Sequence, residues 1–380
     1  MSFSVYIHLP FCATRCNYCD FVSCEMTNIP FDDYIEAVHR EWAVRAALFE
    51  EKCLSVYVGG GTPSLWPAQK LSQLLSPFAL SNEIEVTVEL NPGDCNVKWL
   101  EAIASCGVNR LSVGVQSLDD DRLRWLGRRH DAAEAQRAIV EAIGLGAFSV
   151  SADIIYGTPG HNVQLLSNEL VKLADLGLDH ISAYELTVAP NTPLGKRAQQ
   201  ENIGMPNSDE MVALWLTVGT LLSKYNLERY EVSSYARPKH KSRHNEHYWQ
   251  GGQYAGLGAG AHGFTKGSGG MIRYANTADV SEYMSTPCNP NGVDGIGKMG
   301  FTEKLTALQH AFELIMLGLR TTNGVCMRNI ASLITQNELS NFNEVVYKLK
   351  NDGFVTVKAD RIYPSIKGLL NADLITAQFF

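Results

Sequence analysis

The sequence predicts an α/β protein, an open barrel of six β-α units followed by a C-terminal α+β unit. Three observations predict it. Short alternating segments rich in Val and Ile recur through the first half, with helical periodicity between them. Residues suited to chemistry fall at the carboxyl end of one such segment after another, which is where parallel sheets gather their sites. Past about residue 200 that rhythm stops, and Gly-rich, His-rich and then helical stretches replace it.

The elements follow in order. Val5, Ile7 and Leu9 alternate with Tyr6 and His8, so a first strand runs into a loop carrying Cys12, Cys16 and Cys19. Tyr34, Val38 and Trp42 recur at i,i+4 and predict a helix over 31–51. A second strand, 55–58, ends in Gly59, Gly60, Gly61, Thr62 and Pro63. In the third, 83–90, Ile84, Val86, Val88 and Leu90 share one face and Glu83, Glu85 and Glu89 the other. Strands over 110–115, 149–156 and 180–188 complete the set. A crossover helix returns the chain to the same end of the sheet each time, so the strands are parallel. Six units fall short of the eight that close a barrel.

Beyond them, Asn207 with Glu210 three residues on caps a helix over 207–225. A further strand is expected at 229–235, then a basic His-rich loop over 237–249, a Gly-rich run over 254–263 and an irregular linker over 265–300. From residue 303, helices followed by a short hairpin resemble a winged-helix unit. Its eight Lys/Arg against seven Asp/Glu lack the basic face that reading DNA needs, which leaves a structural or protein-docking role. The expected organisation is a barrel over 1–200, an extension with the His/Gly-rich region over 201–300, and the winged-helix-like unit over 301–380.

Composition narrows the classes. At 45% hydrophobic and 19% charged, the 380 residues supply ample core, and a net charge of -8 excludes a general nucleic-acid binder. There is no apolar run of membrane-spanning length and no basic-then-apolar leader, so a cytoplasmic protein is expected. Nine cysteines, without regular spacing outside the first loop, fit a reducing compartment. Cys24, Cys53, Cys95, Cys106, Cys288 and Cys326 read as packing residues.

The three loop cysteines form C-x3-C-x2-C beside Tyr18. A cubane [4Fe–4S] cluster ordinarily takes four cysteines, so three leave one iron open to an outside ligand. The rival is zinc, whose paired C-x2-C knuckles have no second pair here. The spacing resembles the radical S-adenosylmethionine (SAM) superfamily, in which the open iron chelates the amino and carboxylate groups of SAM. That resemblance implies a partial (βα)6 TIM-like barrel. On the strand ends, Gly60, Gly61 and Thr62 would line the SAM amino group. Glu89, Gln116 and Asp153 offer acceptors for ribose or ammonium, and Arg128 suits the carboxylate. Tyr6 and Tyr18 can pack on the cluster or the adenine. Taken singly, Glu89 reads equally as a solvated strand-end charge and Arg128 as a helix-surface cation.

A second candidate site is His244, Asn245, Tyr248 and Trp249, continuing through 256–263. Imidazole is a standard axial ligand of haem iron, and aromatic rings stack on a macrocycle. On composition alone, a His near aromatics is more often a hydrogen-bonded packing residue. The glycines lack the strand-turn-helix context of a dinucleotide loop.

Several stretches together resemble the oxygen-independent coproporphyrinogen III oxidase family, and within it the HemW-type haem chaperones. They are 6–12, 19–21, 59–64, 114–117, 153–157 and the H-N-x-x-Y-W motif at 244–249. Two departures separate the chain from the oxidases. Phe21 stands where they carry a fourth cysteine, and the cluster motif begins without their N-terminal extension. The resemblance implies a [4Fe–4S] cluster, SAM, and haem bound with His244 as its leading ligand, delivered to an acceptor protein. The alternative it leaves open is oxidative decarboxylation of coproporphyrinogen III by a radical derived from SAM. Both imply a flavodoxin- or ferredoxin-type reductant.

Overall fold

The structure, a computed structural model, describes residues 2–81, 83–267, 269–286 and 299–379. Six parallel strands form the frame: β1 Ser2–Leu9, β2 Lys52–Gly60, β3 Glu85–Leu90, β4 Arg110–Gln116, β5 Ser149–Tyr156 and β6 His180–Glu185. They pair in sequence order, with helices Ala68–Leu75, Val97–Ser105, Ala132–Gly144 and Val163–Asp175 crossing between them.

Alternation divides the frame into two faces. Val5, Ile7, Val56, Val58, Val86, Val88, Leu111, Val113, Val150 and Ile181 are fully buried in the main core. There they pack with Leu71, Leu74, Leu100, Ile139 and Leu170 of the crossover helices, each contributing roughly 1.5–3 kcal/mol. The opposite, inward face is polar and internally hydrogen-bonded. Ser55 donates to Ser4 (2.8 Å), Tyr57 to Glu89 (2.8 Å) and Ser112 to Asp153 (2.6 Å), and Ser151 meets His180 (2.8 Å).

The sheet does not stop at six strands. The short β7 Glu228–Arg229 and β8 Ser234–Ala236 add antiparallel beyond β6. On the other edge β9 Gln253–Leu257 pairs parallel with β1, making a seventh parallel strand out of the expected Gly-rich run. Three antiparallel strands follow it: β10 His262–Gly267, β11 Gly270–Asn276 and β12 Met299–Lys304. The twelve strands run in the order β12-β11-β10-β9-β1-β2-β3-β4-β5-β6-β8-β7.

Several expectations are corrected. The helix expected over 31–51 ends at Arg45, passes through a 3₁₀ turn at Ala46–Leu48 and yields to β2. The strand expected over 229–235 is split into β7 and β8. Part of the basic loop is a helix, Arg243–Trp249, and much of the expected linker is the β10–β11 hairpin. The 287–298 part of that linker, with Cys288, lies outside the described residues.

The C-terminal unit has its own core, Ile315, Leu319, Ile330, Val346, Leu349 and Ile362. Helices Ala307–Gly318 and Gln336–Asn351 pack on a three-stranded antiparallel sheet that includes the expected hairpin, Val355–Lys358 with Arg361–Pro364.

A buried ionic knot locks the added edge to the frame. Arg45 donates to Glu41 (2.6 Å) and Asn276 (2.9 Å), and its guanidinium lies 3.6 Å over the Tyr274 ring. Glu41 also accepts from the Gly258 N–H (3.1 Å) and from the Tyr283 hydroxyl (2.7 Å). Removing one partner of such a pair leaves a buried charge unanswered. Arg45→Ala should therefore lower unfolding free energy by about 3 kcal/mol in a denaturant titration. A loss below about 1 kcal/mol, the worth of a surface pair, would contradict this role.

Candidate functional site

The cysteine loop grows directly out of β1 and is fastened at both flanks. Leu9 and Phe11 carbonyls accept from Gly61 N–H (2.7 Å) and Thr62 N–H (2.8 Å), which ties the loop to the end of β2. Cys24 and Met26 N–H groups return to the carbonyls of Pro10 and Cys12. Arg15 N–H donates to Glu25 (2.6 Å), and its guanidinium reaches the carbonyls of Cys19 and Phe21. Cys12 is buried, Cys16 and Cys19 half-buried, and all three are free thiols.

The three cysteines line a cavity of about 410 Å³ at the carboxyl ends of the strands. Gly60, Gly61, Thr62, Glu89, Gln116, Arg128, Asp153 and Tyr18 line it with them, so these sequence candidates share one chamber. Tyr57, Asn91, Ser112 and Tyr184 complete the wall. Alternation along the strands could have found Tyr57 and Ser112, which lie in register with the inward candidates Tyr6 and Glu89.

The glycines are required by close approach. A Cβ on Gly60, whose φ is +115°, would stand 2.6 Å from the His8 ring, and one on Gly61 would stand 2.6 Å from the Phe11 carbonyl. Gln116 takes a positive φ of 64°, a strained conformation for a residue with a side chain, beside a register shift between β4 and β5.

Charge in this cavity is arranged in two groups. Glu89 accepts from Tyr57 and from the Gly60 N–H (3.0 Å). Burial, helped by the nearby Asp153, pushes its pKa up to about 7 despite those donors. Burial likewise raises Asp153 against the hydroxyls of Ser112, Ser182 and Ser151. On the other wall Arg128 donates to Asn91 (2.7 Å), the Gly114 carbonyl (2.9 Å) and Cys16 Sγ (3.4 Å). Its buried Nε has no partner among the described residues. Beside it His130 bridges Asn91 and the Val115 carbonyl, and burial with the Arg128 charge lowers its pKa to about 4.

These features fit the groups in question. Acceptors at Glu89 and Asp153 suit an ammonium, and the Arg128 guanidinium, whose Nε lacks a partner among the described residues, suits a carboxylate. Burial raises the Cys12 and Cys19 thiols, so a metal must displace their protons to bind. Among the described residues no three His, Cys, Asp or Glu side chains converge as the ligands of a single ion would. A cubane instead asks for one thiolate at each of several irons.

A second cavity, of about 570 Å³, adjoins the first and shares Asp20, Phe21 and Tyr57 with it. Tyr6, His8, His244, Asn245, Tyr248, Tyr254 and His262 also line it. Tyr6, expected from the sequence to pack on the cluster or the adenine, lines this second cavity rather than the first. It sits six residues before Cys12, and its hydroxyl donates to His8 (2.9 Å). Trp249 faces away, into a separate cavity of about 460 Å³ against the C-terminal unit. Trp249 stands five positions after His244, roughly 140° around the helix, so the two side chains reach different cavities.

His244 is held with care. Both Glu85 oxygens accept from the first N–H groups of its helix, those of Arg243 and His244 (3.0 Å each), which anchors the helix end to β3. The Ser55 hydroxyl, hydrogen-bonded to Ser4 (2.8 Å), engages His244 Nδ1 (3.0 Å), and Nε2 has no hydrogen-bond partner among the described residues. Burial, with the His247 charge, lowers the His244 pKa to about 3. The imidazole is therefore neutral, packed 5.1 Å from the Tyr57 ring centroid.

Comparisons with known proteins find relatives over most of the chain. The radical SAM superfamily model matches residues 6–168, and a model described as the HemN C-terminal domain matches 305–370. Curated relatives include a protein named heme chaperone HemW from Lactococcus lactis, 31% identical over 96% of this chain and 94% of that one. The protein of the same name from Bacillus subtilis is 30% identical over 99% and 98%. A mouse mitochondrial protein named for its radical S-adenosyl methionine domain is 36% identical over 85% and 74%. Among solved structures, coproporphyrinogen III oxidase (HemN) from Escherichia coli superposes with a TM-score of 0.82 at 20% identity. That match covers 99% of this chain and 89% of the other, and it shows a shared fold.

The raised Glu89 has a consequence for stability. Its folded pKa of about 7 exceeds the ordinary 4.5, so between those values the native state holds the extra proton. Stability from this group therefore falls as pH rises from about 4.5 to about 7. Denaturation midpoints for wild type and Glu89→Gln across that range should diverge, with the flatter profile in the variant. Parallel profiles would contradict the raised value.

Proposed function

The chain belongs to the radical SAM superfamily and, within it, to the family of HemW haem chaperones; on that premise we propose that it binds haem and delivers it to an acceptor protein. Cys12, Cys16 and Cys19 would hold a [4Fe–4S] cluster, and SAM would sit against it on Gly60, Gly61, Thr62, Glu89, Gln116, Arg128 and Asp153, with Tyr18 packed alongside. Bound there, the cluster supplies an open iron for chelation and a site for one electron, for which a flavodoxin- or ferredoxin-type protein is the natural donor.

The observation that carries the haem reading is His244: a neutral imidazole with Nδ1 engaged and Nε2 open, facing a cavity distinct from the cysteine chamber. Haem iron asks for a neutral nitrogen lone pair whose ring is fixed by its other nitrogen. Asn245 and Tyr248 stand at the same cavity and would support the macrocycle, while Trp249 would act through its edge contact with Tyr248 (5.6 Å between centroids). All eight described cysteines are free thiols, and no helix among the described residues is long and apolar enough to cross a membrane.

Two experiments test this reading. Titrating haemin into the anaerobically reconstituted protein should saturate near one haem per chain, and His244→Ala should weaken binding at least about tenfold. Equal binding by the variant would remove His244 from the site. Iron and sulfide analysis after anaerobic reconstitution should give about four of each per chain, and Cys16→Ala should lose most of both. A variant that kept the full complement would sink the three-cysteine assignment. Unchanged coproporphyrinogen III in a reduced assay with SAM is expected, and its decarboxylation would instead favour the oxidase alternative.

A further inference from the structure

Three histidines line the second cavity: His8, His244 and His262. Hydrogen-bond accounting sorts them. His8 is fully committed, since Nε2 donates to the Val22 carbonyl (2.7 Å) and Nδ1 accepts from Tyr6 (2.9 Å). His244 is half committed, with Nε2 open. The His262 imidazole has no hydrogen bond among the described residues; its ring rests edge-on against Phe301 (5.6 Å between centroids). The nearby phenols of Tyr6 and Tyr57 are spent on His8 and Glu89. Two imidazoles with an open nitrogen therefore face one cavity, one buried and one at its exposed rim.

The chain goes to some length to put His262 there. It opens β10, and β10 can approach only because β9 carries Gly256 beside Tyr6 of β1. A Cβ on Gly256 would stand 1.8 Å from the His262 carbonyl oxygen. Partial burial, with the Arg273 charge on the neighbouring strand, lowers the His262 pKa and keeps the ring neutral, the form that binds a metal.

Resting on the reading that this cavity takes haem, we infer that His262 is a second axial ligand, so that His244 and His262 together make the iron six-coordinate. The asymmetry of the pair gives release a first step. A nitrogen or sulfur donor on the acceptor replaces the rim ligand, one iron–nitrogen bond breaking as the new iron–donor bond forms. Neither protein is oxidised or reduced. His244 is then the last bond to be exchanged.

Absorption and electron paramagnetic resonance spectra of ferric haem on wild type, His262→Ala, His262→Gln and Tyr248→Phe test this. Wild type should be low-spin. Both His262 variants should still bind a single haem, about tenfold more weakly, and turn high-spin, and added imidazole should restore the low-spin signal. Low-spin spectra in both His262 variants, or a high-spin wild type, would overturn the second ligand while leaving the haem reading intact. A spectral change confined to Tyr248→Phe would overturn it in favour of a phenolate. Wild type that bound no haem would instead remove the cavity assignment itself, and the inference with it.

Discussion

Strand β1 is hydrogen-bonded on both edges, to β2 over its whole length and to β9 from Phe3 to Ile7, and both cavities are built outward from it. Its apolar residues are buried in the main core, which fixes register: a slip of one residue would turn Val5, Ile7 and Leu9 inward and throw Tyr6 and His8 into the core. With register fixed, the cysteine loop emerges at one place, over the ends of β2 and β3. Tyr6 and His8 are left on the inward face, next to the opening where β9 joins. The Arg45–Glu41 knot and the Tyr34 hydroxyl, which donates to the His8 carbonyl (2.8 Å), hold β9 and its following loop against that same strand.

A polar interior is the second constraint. Buried hydroxyls, carboxyls and imidazoles cost free energy unless each finds a partner, and here nearly all do. Of the groups left short of a partner, a few face the two cavities. Arg128 Nε is one in the first cavity, and the open nitrogens of His244 and His262 stand in the second. Tyr57 belongs to both, with its hydroxyl on Glu89 and its ring against His244. Asp20 and Phe21 line both cavities as well, so these three side chains form the wall between the cysteine cavity and the His244 cavity.

Much of this was legible in the chain. The six frame strands carry β-branched residues on one face and polar ones on the other, a period that survives without tertiary context, and the strand-end candidates converge as that period requires. What was missed has local causes. The strand Gln253–Leu257 hides because Gly256 and its glycine neighbours carry no β signal, yet a glycine there is what lets β10 come close. The helix Arg243–Trp249 hides because its seven residues have no apolar stripe; Ser242, whose side chain accepts from Asn245 N–H, was its one cue. The hairpin Gly267–Gly270 looked like a linker because tight turns and linkers share composition. Which of two adjoining cavities Tyr6 lines was beyond the sequence, because alternation gives the face of a strand but not the depth along it.

The proposed function requires two chambers rather than one. Equilibrium dialysis of haemin against the cluster-loaded protein, with and without saturating SAM, measures this directly. Two chambers predict that the single haem per chain is retained when SAM is saturating. Stoichiometric displacement of haem by SAM would mean that both compete for the cysteine chamber, and would contradict it.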